Sequence, residues 1–472
     1  MKNKILILFL LVGIVAACND EEIVVPNIEE NVCEFANSIK TNEIVSSNYV
    51  SIEEAREDLE SLLKDLSSLS KSSGSFSAKR IVNAYTLKSA KTSISKSSTK
   101  DSTAIHIFNF ENDEGFAIMS ATRDMPSLLA ITDGGNLDTN EVIDNPGLIL
   151  FLNGLKAKPA DLLNRPFITD NKDEGKGKDG KQQDENDEYI IKHKNGYTVY
   201  GKFTNNFYKP KNGYCKVHWH SGEPYNRKCD TIKGIHTSVG CVAVACAQLM
   251  SIYKYPNRYK DTTLNWSKMI EDTNCVDIPW LMKKLGDKEN LDVTYNLASN
   301  GGSGALTSKV PQTFKNFGYS KGGIYIYYNS SKVCEELKNG YPVLIGGYDK
   351  KIYDTVRTVF GFKIDTSYTG GHQWFAHGLL VRTRTITTYY NNPPNDKLQK
   401  VISKSNTIGA TQTESYEYIL CNFGWPSHRG NGYMYSGVFD VDDGVKYSES
   451  YSKNYKEDYY QYEVDAVIGI RK

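Results

Sequence analysis

The 472-residue chain has no excess charge of either sign, because 56 lysines and arginines balance 56 aspartates and glutamates. With no net field, nothing draws the whole molecule to nucleic acid or to an anionic membrane surface. Beyond Val15 there is no long apolar run, which excludes a polytopic membrane protein. Nine cysteines are too few and too scattered to frame a disulfide miniprotein, and no internal repeat is visible. What the chain does have is 39% apolar residues, enough for two or three ordinary cores, and an abundance of tyrosine, 32 residues.

The one apolar run, Ile5 to Val15, follows Lys2 and Lys4 and precedes Ala16-Ala17-Cys18. As a helix it rises about 16 Å, roughly half the hydrocarbon core, so it reads as a signal peptide and not as a span. Val15-Ala16-Ala17-Cys18 resembles a bacterial lipobox, which implies removal of residues 1–17 and acylation of Cys18. The acidic Asn19-Asp20-Glu21-Glu22 is similar to the export signal of some Gram-negative surface lipoproteins. The expected location is therefore the outer membrane or cell surface, with membrane contact through the lipid anchor only. There the remaining cysteines meet oxidising conditions.

Residues 18–44 are polar and read as a tether. From Ser51 to Leu69, apolar Ile52, Ala55, Leu59, Leu62, Leu63, Leu66 and Leu69 recur at three- and four-residue steps behind a Ser51/Glu54 capping box, which predicts a helix. Ala104–Phe108 and Gly115–Met119 read as strands. Between Asn171 and Glu188 nearly every residue is charged, Gly, Gln or Asn, the composition of an exposed, protease-accessible linker. The expected units are a small α+β domain over 45–165, a linker over 166–189 and a larger domain over 190–472.

In the larger domain, Gly240 and Cys241 open a run of small residues that reads as a helix as far as Tyr255-Pro256. The helix end favours an anion, so Cys241 is expected to have a lowered pKa and to serve as a nucleophile. Cys246 reads as a buried structural thiol. A thiolate needs a base, and His372 is the candidate, since it opens a strand-like run after Gly370-Gly371. His377, five residues on, falls on the other face of that strand. Asn422 can accept from the imidazole, with aromatic neighbours Phe423 and Trp425 to exclude water.

The Gly240–Met250 segment, Gly371-His372, Asn422-Phe423-Gly424-Trp425 and Asn431-Gly432-Tyr433 resemble the motifs of the streptopain family of papain-fold cysteine peptidases. Trp219–Asn226, Ser303-Gly304-Ala305 and Gly340–Leu344 resemble lesser family blocks in the right order. Gly115–Ala121 with Pro126–Ala130 resembles the family's inhibitory propeptide. The resemblance implies an α+β fold, with the cysteine-bearing helix against a twisted antiparallel sheet and a small α+β propeptide in front. It also implies a zymogen that hydrolyses peptide bonds without a cofactor. Cys241 is then the nucleophile, His372 the base and acid, and Asn422 the residue that orients His372. The partners implied are protein or peptide substrates and the chain's own propeptide.

Three departures from the family pattern stand out. Ser221 replaces the usual oxyanion glutamine, Phe423 replaces a tryptophan, and Arg382–Tyr416 reads as a polar loop inserted over the cleft. Loss of an oxyanion donor costs about 10²–10³ in rate, so diminished activity is expected. Two rival readings remain. Cys215, His218, His220, Cys229, His236, Cys241 and Cys246 crowd one segment, but their spacing is not that of a zinc motif, and a Cys215–Cys229 disulfide is the simpler account of that pair. The other rival is a surface binding protein that retains the fold without activity, favoured by Ser221 and the tyrosines from Tyr447 to Tyr462.

Overall fold

A computed structural model describes residues 49–73, 79–88, 104–123, 125–157, 169–170, 187–193, 196–349, 357–364, 371–390, 407–427, 429–440 and 462–472. The signal peptide, Cys18, the tether and nearly all of the charged linker lie outside these residues. Among those described, no helix is long and apolar enough to cross a membrane.

The N-terminal unit begins with helix α1 (Ile52–Ser73), where the Ser51 hydroxyl accepts the Glu54 N–H at 3.1 Å as the capping box predicts. Its apolar stripe of Ala55, Leu59, Leu62, Leu63 and Leu66 is buried against four antiparallel strands. These are β1 (Ile81–Lys88), β2 (Ala104–Phe110), β3 (Phe116–Ser120) and β4 (Leu128–Thr132). Helix α2 (Pro146–Ala157) follows, its first turn capped by Asn145, whose Oδ1 accepts from Gly147 N at 2.9 Å.

The C-terminal unit contains β5 (Asp187–His193), β6 (Gly196–Gly201), β7 (Thr204–Tyr208), α3 (Cys241–Tyr253), α4 (Trp266–Glu271), α5 (Asp277–Gly286) and α6 (Val310–Asn316). It continues through β8 (Lys321–Tyr327), α7 (Ser330–Lys338), β9 (Val343–Asp349), β10 (His372–Tyr390), β11 (Thr407–Asn422), β12 (Gly432–Tyr435) and β13 (Tyr462–Arg471). The main sheet runs β1-β2-β3-β4-β12-β11-β10-β9-β13-β8. The N-terminal strands therefore extend the C-terminal sheet, joined where Ala130–Thr132 pairs antiparallel with Gly432–Met434.

One expectation fails in part here. Residues 382–390 and 407–416 are strands and not loop, because β10 continues to Tyr390 and β11 starts at Thr407; residues 391–406 of the expected loop lie outside the described residues. Polar composition suggested a loop, but threonine suits a strand, and facing pairs such as Thr385–Thr413 and Arg384–Glu414 stabilise the ladder. Strands β6 and β7 pair along its other edge. This hairpin also holds the N-terminal unit. Arg382, only 1% exposed, donates to both Asp58 oxygens, to Ser127 Oγ at 3.2 Å and to Asn205 Oδ1 at 2.9 Å, with its guanidinium 4.4 Å over Phe203. Tyr418 donates its hydroxyl to Leu128 O at 3.0 Å.

The fold is α+β and papain-like: α3 lies across one face of the antiparallel sheet, and α2 and α7 lie across the other. Strand alternation assigns the side chains. Leu344 and Phe375 share a core with α3, while Val343, Ile345, Trp374 and Ala376 share one with α2 and α7.

Candidate active site

Helix α3 is apolar on every side, and all residues from Val242 to Tyr253 are buried, as expected of a central helix. Its alanines at 243, 245 and 247 let neighbours approach closely. The N-cap is Gly240 at φ 95°, a conformation that excludes most side chains, and a Cβ there would crowd the Ser303 carbonyl at 3.1 Å. Ser303 is fixed in turn, donating its N–H to Ser238 Oγ and its hydroxyl to Ser238 O, each at 2.7 Å. The backbone just before Cys241 is thus held from behind.

The backbone N–H groups of Gln373, Val242 and Cys241 lie near the Cys241 sulfur and favour its charged form. These donors and the helix end favour the thiolate, and on them the sequence predicts a lowered pKa. The structure has it raised, because burial of the sulfur outweighs the donors. The two nearby thiols are also raised by burial. Cys246 is fully buried, and Cys215, pushed up to about 11, contacts Val217 O and Ser251 Oγ. Cys215 and Cys229 are both free, so the expected disulfide is absent. Among the described residues, no three His, Cys, Asp or Glu side chains gather as metal ligands would.

His372 is the first residue of β10 and 7% exposed. Its Nε2 lies 2.7 Å from Phe423 O, and since a carbonyl only accepts, Nε2 carries the proton. The ring stacks on Trp374 at 6.2 Å and meets the edge of Trp425 at 5.8 Å. Burial lowers its pKa to about 4, with the Phe423 carbonyl opposing in part, so the imidazole is neutral. Alternation puts His372 with Trp374 on the α2 face and Gln373 on the α3 face. Among the described residues, no hydrogen bond joins Cys241 to His372.

Asn422 does not hold the imidazole either, and the Phe423 carbonyl takes that place. The Asn422 amide lies on the α3 side. Its Nδ2 donates to Val217 O and to Gln248 Oε1, both at 3.3 Å, and its Oδ1 accepts from Gly424 N at 3.0 Å and Gln248 Nε2 at 3.4 Å. Ser221, half-buried, accepts the Val239 N–H on its carbonyl at 2.9 Å, so the 219–222 segment runs beside the approach to Cys241. His377 faces α3 and lies opposite His372, as the spacing predicts. Its Nδ1 accepts the Cys215 N–H at 3.5 Å, its ring stacks on Phe375, and burial, then the His218 charge, lowers it to about 3.

Helix α2 supports the aromatic side of this arrangement. Gly147 sits under Phe423, where any Cβ would overlap the ring. Leu150 packs over Gly347, the residue paired with His372, and Asn145 donates to Arg429 O at 2.6 Å. Two amides in this neighbourhood escaped the sequence reading, Gln248 and Gln373, both almost fully buried. The available signal was a lone amide inside each of two otherwise apolar runs.

The Peptidase C10 family model matches residues 219–434, and the Spi protease inhibitor model matches residues 47–158. No curated protein matches. Among solved structures, the chain is similar to a prointerpain A fragment from Prevotella intermedia at 17% identity, covering 83% of this chain and 99% of that one with a TM-score of 0.45. It is also similar to active wild-type interpain A, a cysteine protease of the same organism, at 19% identity, with 55% and 94% covered and a TM-score of 0.33. The chain thus joins a Spi-type inhibitor domain to a Peptidase C10 domain, that of the streptopain family of cysteine proteases, in the order of a zymogen.

Proposed function

We propose that the chain is a secreted, lipid-anchored cysteine endopeptidase held latent by its own N-terminal domain, with Cys241 as nucleophile, His372 as base and acid, and Asn422 as the residue that orients the imidazole. The observation that carries this reading is the Gln373 backbone N–H, which lies near enough to the Cys241 sulfur to favour its thiolate. It means that β10 already touches the thiol one residue away from His372, on the wrong side of the strand. Rotation about Gly371–His372, once α2 no longer supports Phe423 and Trp374, brings the imidazole to the sulfur.

In the rearranged site His372 takes the thiol proton, and the thiolate attacks the scissile carbonyl to give a tetrahedral oxyanion. The imidazolium then protonates the departing amine, leaving a thioester. Water, deprotonated by the same imidazole, hydrolyses the thioester and regenerates the thiol. The Cys241 N–H supplies one oxyanion donor. Ser221 is the other, shorter than the family glutamine, and for that reason turnover is reduced. Domain limits of 45–165 for the inhibitor and 190–472 for the enzyme place the activating cut in 166–189. Acylation at Cys18 keeps the product at the outer membrane or cell surface.

Cys241→Ala in the full-length chain is expected to abolish both release of dye from a fluorogenic peptide and self-cleavage within 171–188, with an unchanged circular dichroism spectrum. Undiminished turnover in this variant would refute the assignment. A second reading, a binding protein that keeps the fold, rests on Ser221. Iodoacetamide labelling with peptide mapping separates the two, since selective modification of Cys241 after cleavage supports the enzyme and uniformly sluggish thiols support the binder.

A further inference from the structure

Gln248 stands seven residues after Cys241 on α3, two turns along the same helix face and about 10 Å away. It is completely buried in a largely apolar helix, and its amide makes three hydrogen bonds. Oε1 accepts the Trp219 N–H at 3.1 Å and Asn422 Nδ2 at 3.3 Å, while Nε2 donates to Asn422 Oδ1 at 3.4 Å. The orientations are fixed independently of one another. A backbone N–H at Trp219 demands the oxygen of Gln248, and Val217 O with Gly424 N demands the orientation found for Asn422. Gly424, at φ 63°, lies against this amide, and a Cβ there would approach Gln248 Nε2 to 3.2 Å and Val244 Cγ1 to 3.1 Å.

Gln248 therefore ties three things to the cysteine helix: the irregular segment leading to Ser221, the Asn422 side chain, and the turn whose Phe423 carbonyl holds His372. From this we infer that Gln248 is a positioning residue for the peptidase, acting through Asn422. It holds the Asn422 amide ready to accept from His372 after the imidazole crosses to Cys241, and it keeps the Trp219–Ser221 segment in line with the developing oxyanion. The inference rests on the peptidase reading above.

The test uses enzyme activated by cutting the full-length chain within 171–188, with Gln248→Met, Asn422→Ala and the double variant. Gln248→Met is expected to lower kcat about tenfold or more with KM within about twofold, the pattern of misplaced reacting groups. Without a placed acceptor the imidazolium is less stable, so the alkaline limb of the kcat/KM profile moves to lower pH, and the rising limb of Cys241 alkylation by iodoacetamide moves to higher pH. On the Asn422→Ala background the same change is expected to cost less than about twofold, because the partner is already gone. Equal losses on both backgrounds, or a loss with unmoved limbs, would overturn the inference. If Gln248→Met fails to fold, Gln248→Asn serves, since it keeps an amide of the same chemistry but is one methylene too short to hold both Trp219 and Asn422; unaltered limbs there would also overturn it. A wild-type enzyme that neither cleaves peptide nor alkylates at Cys241 would instead sink the peptidase reading, and this inference with it.

Discussion

The two faces of β10 differ in chemistry. Toward α3, the strand meets a thiol and a set of paired amides, Gln248 with Asn422 and Gln373 with Thr307, whose hydroxyl donates to Gln373 Oε1 at 2.6 Å. Toward α2, it carries a dry aromatic cluster of Trp374, Phe423 and Phe439 with a neutral histidine at its edge. The proposed nucleophile sits on the first face and its proposed base on the second. On that reading latency requires no obstruction of the thiol, only that the two groups be divided by one strand and that the division be stabilised.

The largest effect is expected where β10 holds the N-terminal unit. Asp58→Ala leaves Arg382 buried without its charge partner, and breaking such a pair typically costs about 3–5 kcal/mol. The full-length chain should unfold or open at clearly lower urea, while activity after cleavage stays unchanged. A midpoint within experimental scatter of the parent would show that the hairpin does not hold the inhibitor.

Acid should discriminate between the faces next. His372 has its folded-state pKa lowered to about 4, so the stability from keeping it neutral is present above the ordinary 6.5 and is lost as pH falls toward 4, about 3 kcal/mol in all. His377 behaves alike down to about 3 on the other face. Melting temperatures of the full-length chain should fall across this window, and His372→Gln should flatten the upper part of it. A slope unaltered in that variant would assign the acid sensitivity elsewhere.

The smallest effect concerns the α3 face alone. Ser221→Gln restores the longer donor and is expected to raise kcat of the activated enzyme about tenfold, with no change in the latent chain. Equal turnover would mean that Ser221 already reaches the oxyanion or that this segment is not part of the hole.

Much of this was legible in the sequence because it is local. The Ser51 cap and the leucine stripe specify α1, and Gly240 before Cys241 with small residues after it specifies a buried helix. The spacing of the family motifs located the C10 domain. The side of the sheet taken by His372 was not legible, since it depends on Gly147 and Leu150, more than 200 positions earlier in the chain, filling the space behind Phe423 and over Gly347. The thiol pKa was misjudged for a related reason. Helix-end electrostatics can be read from a few residues, whereas desolvation depends on everything packed around the sulfur. The paired strands at 382–390 and 407–416 were missed because threonine-rich strands resemble loops until their cross-strand partners are known.

The shared ladder between β4 and β12 separates two events that are easily treated as one. Cutting the tether between the units breaks a covalent bond but none of the pairing at Gly432–Met434. The severed piece therefore stays seated until it departs on its own, and departure strips a strand edge bare. On the proposed reading, once the chain is nicked the onset of activity becomes a matter of dilution: crowded molecules recapture their N-terminal units, and sparse ones lose them.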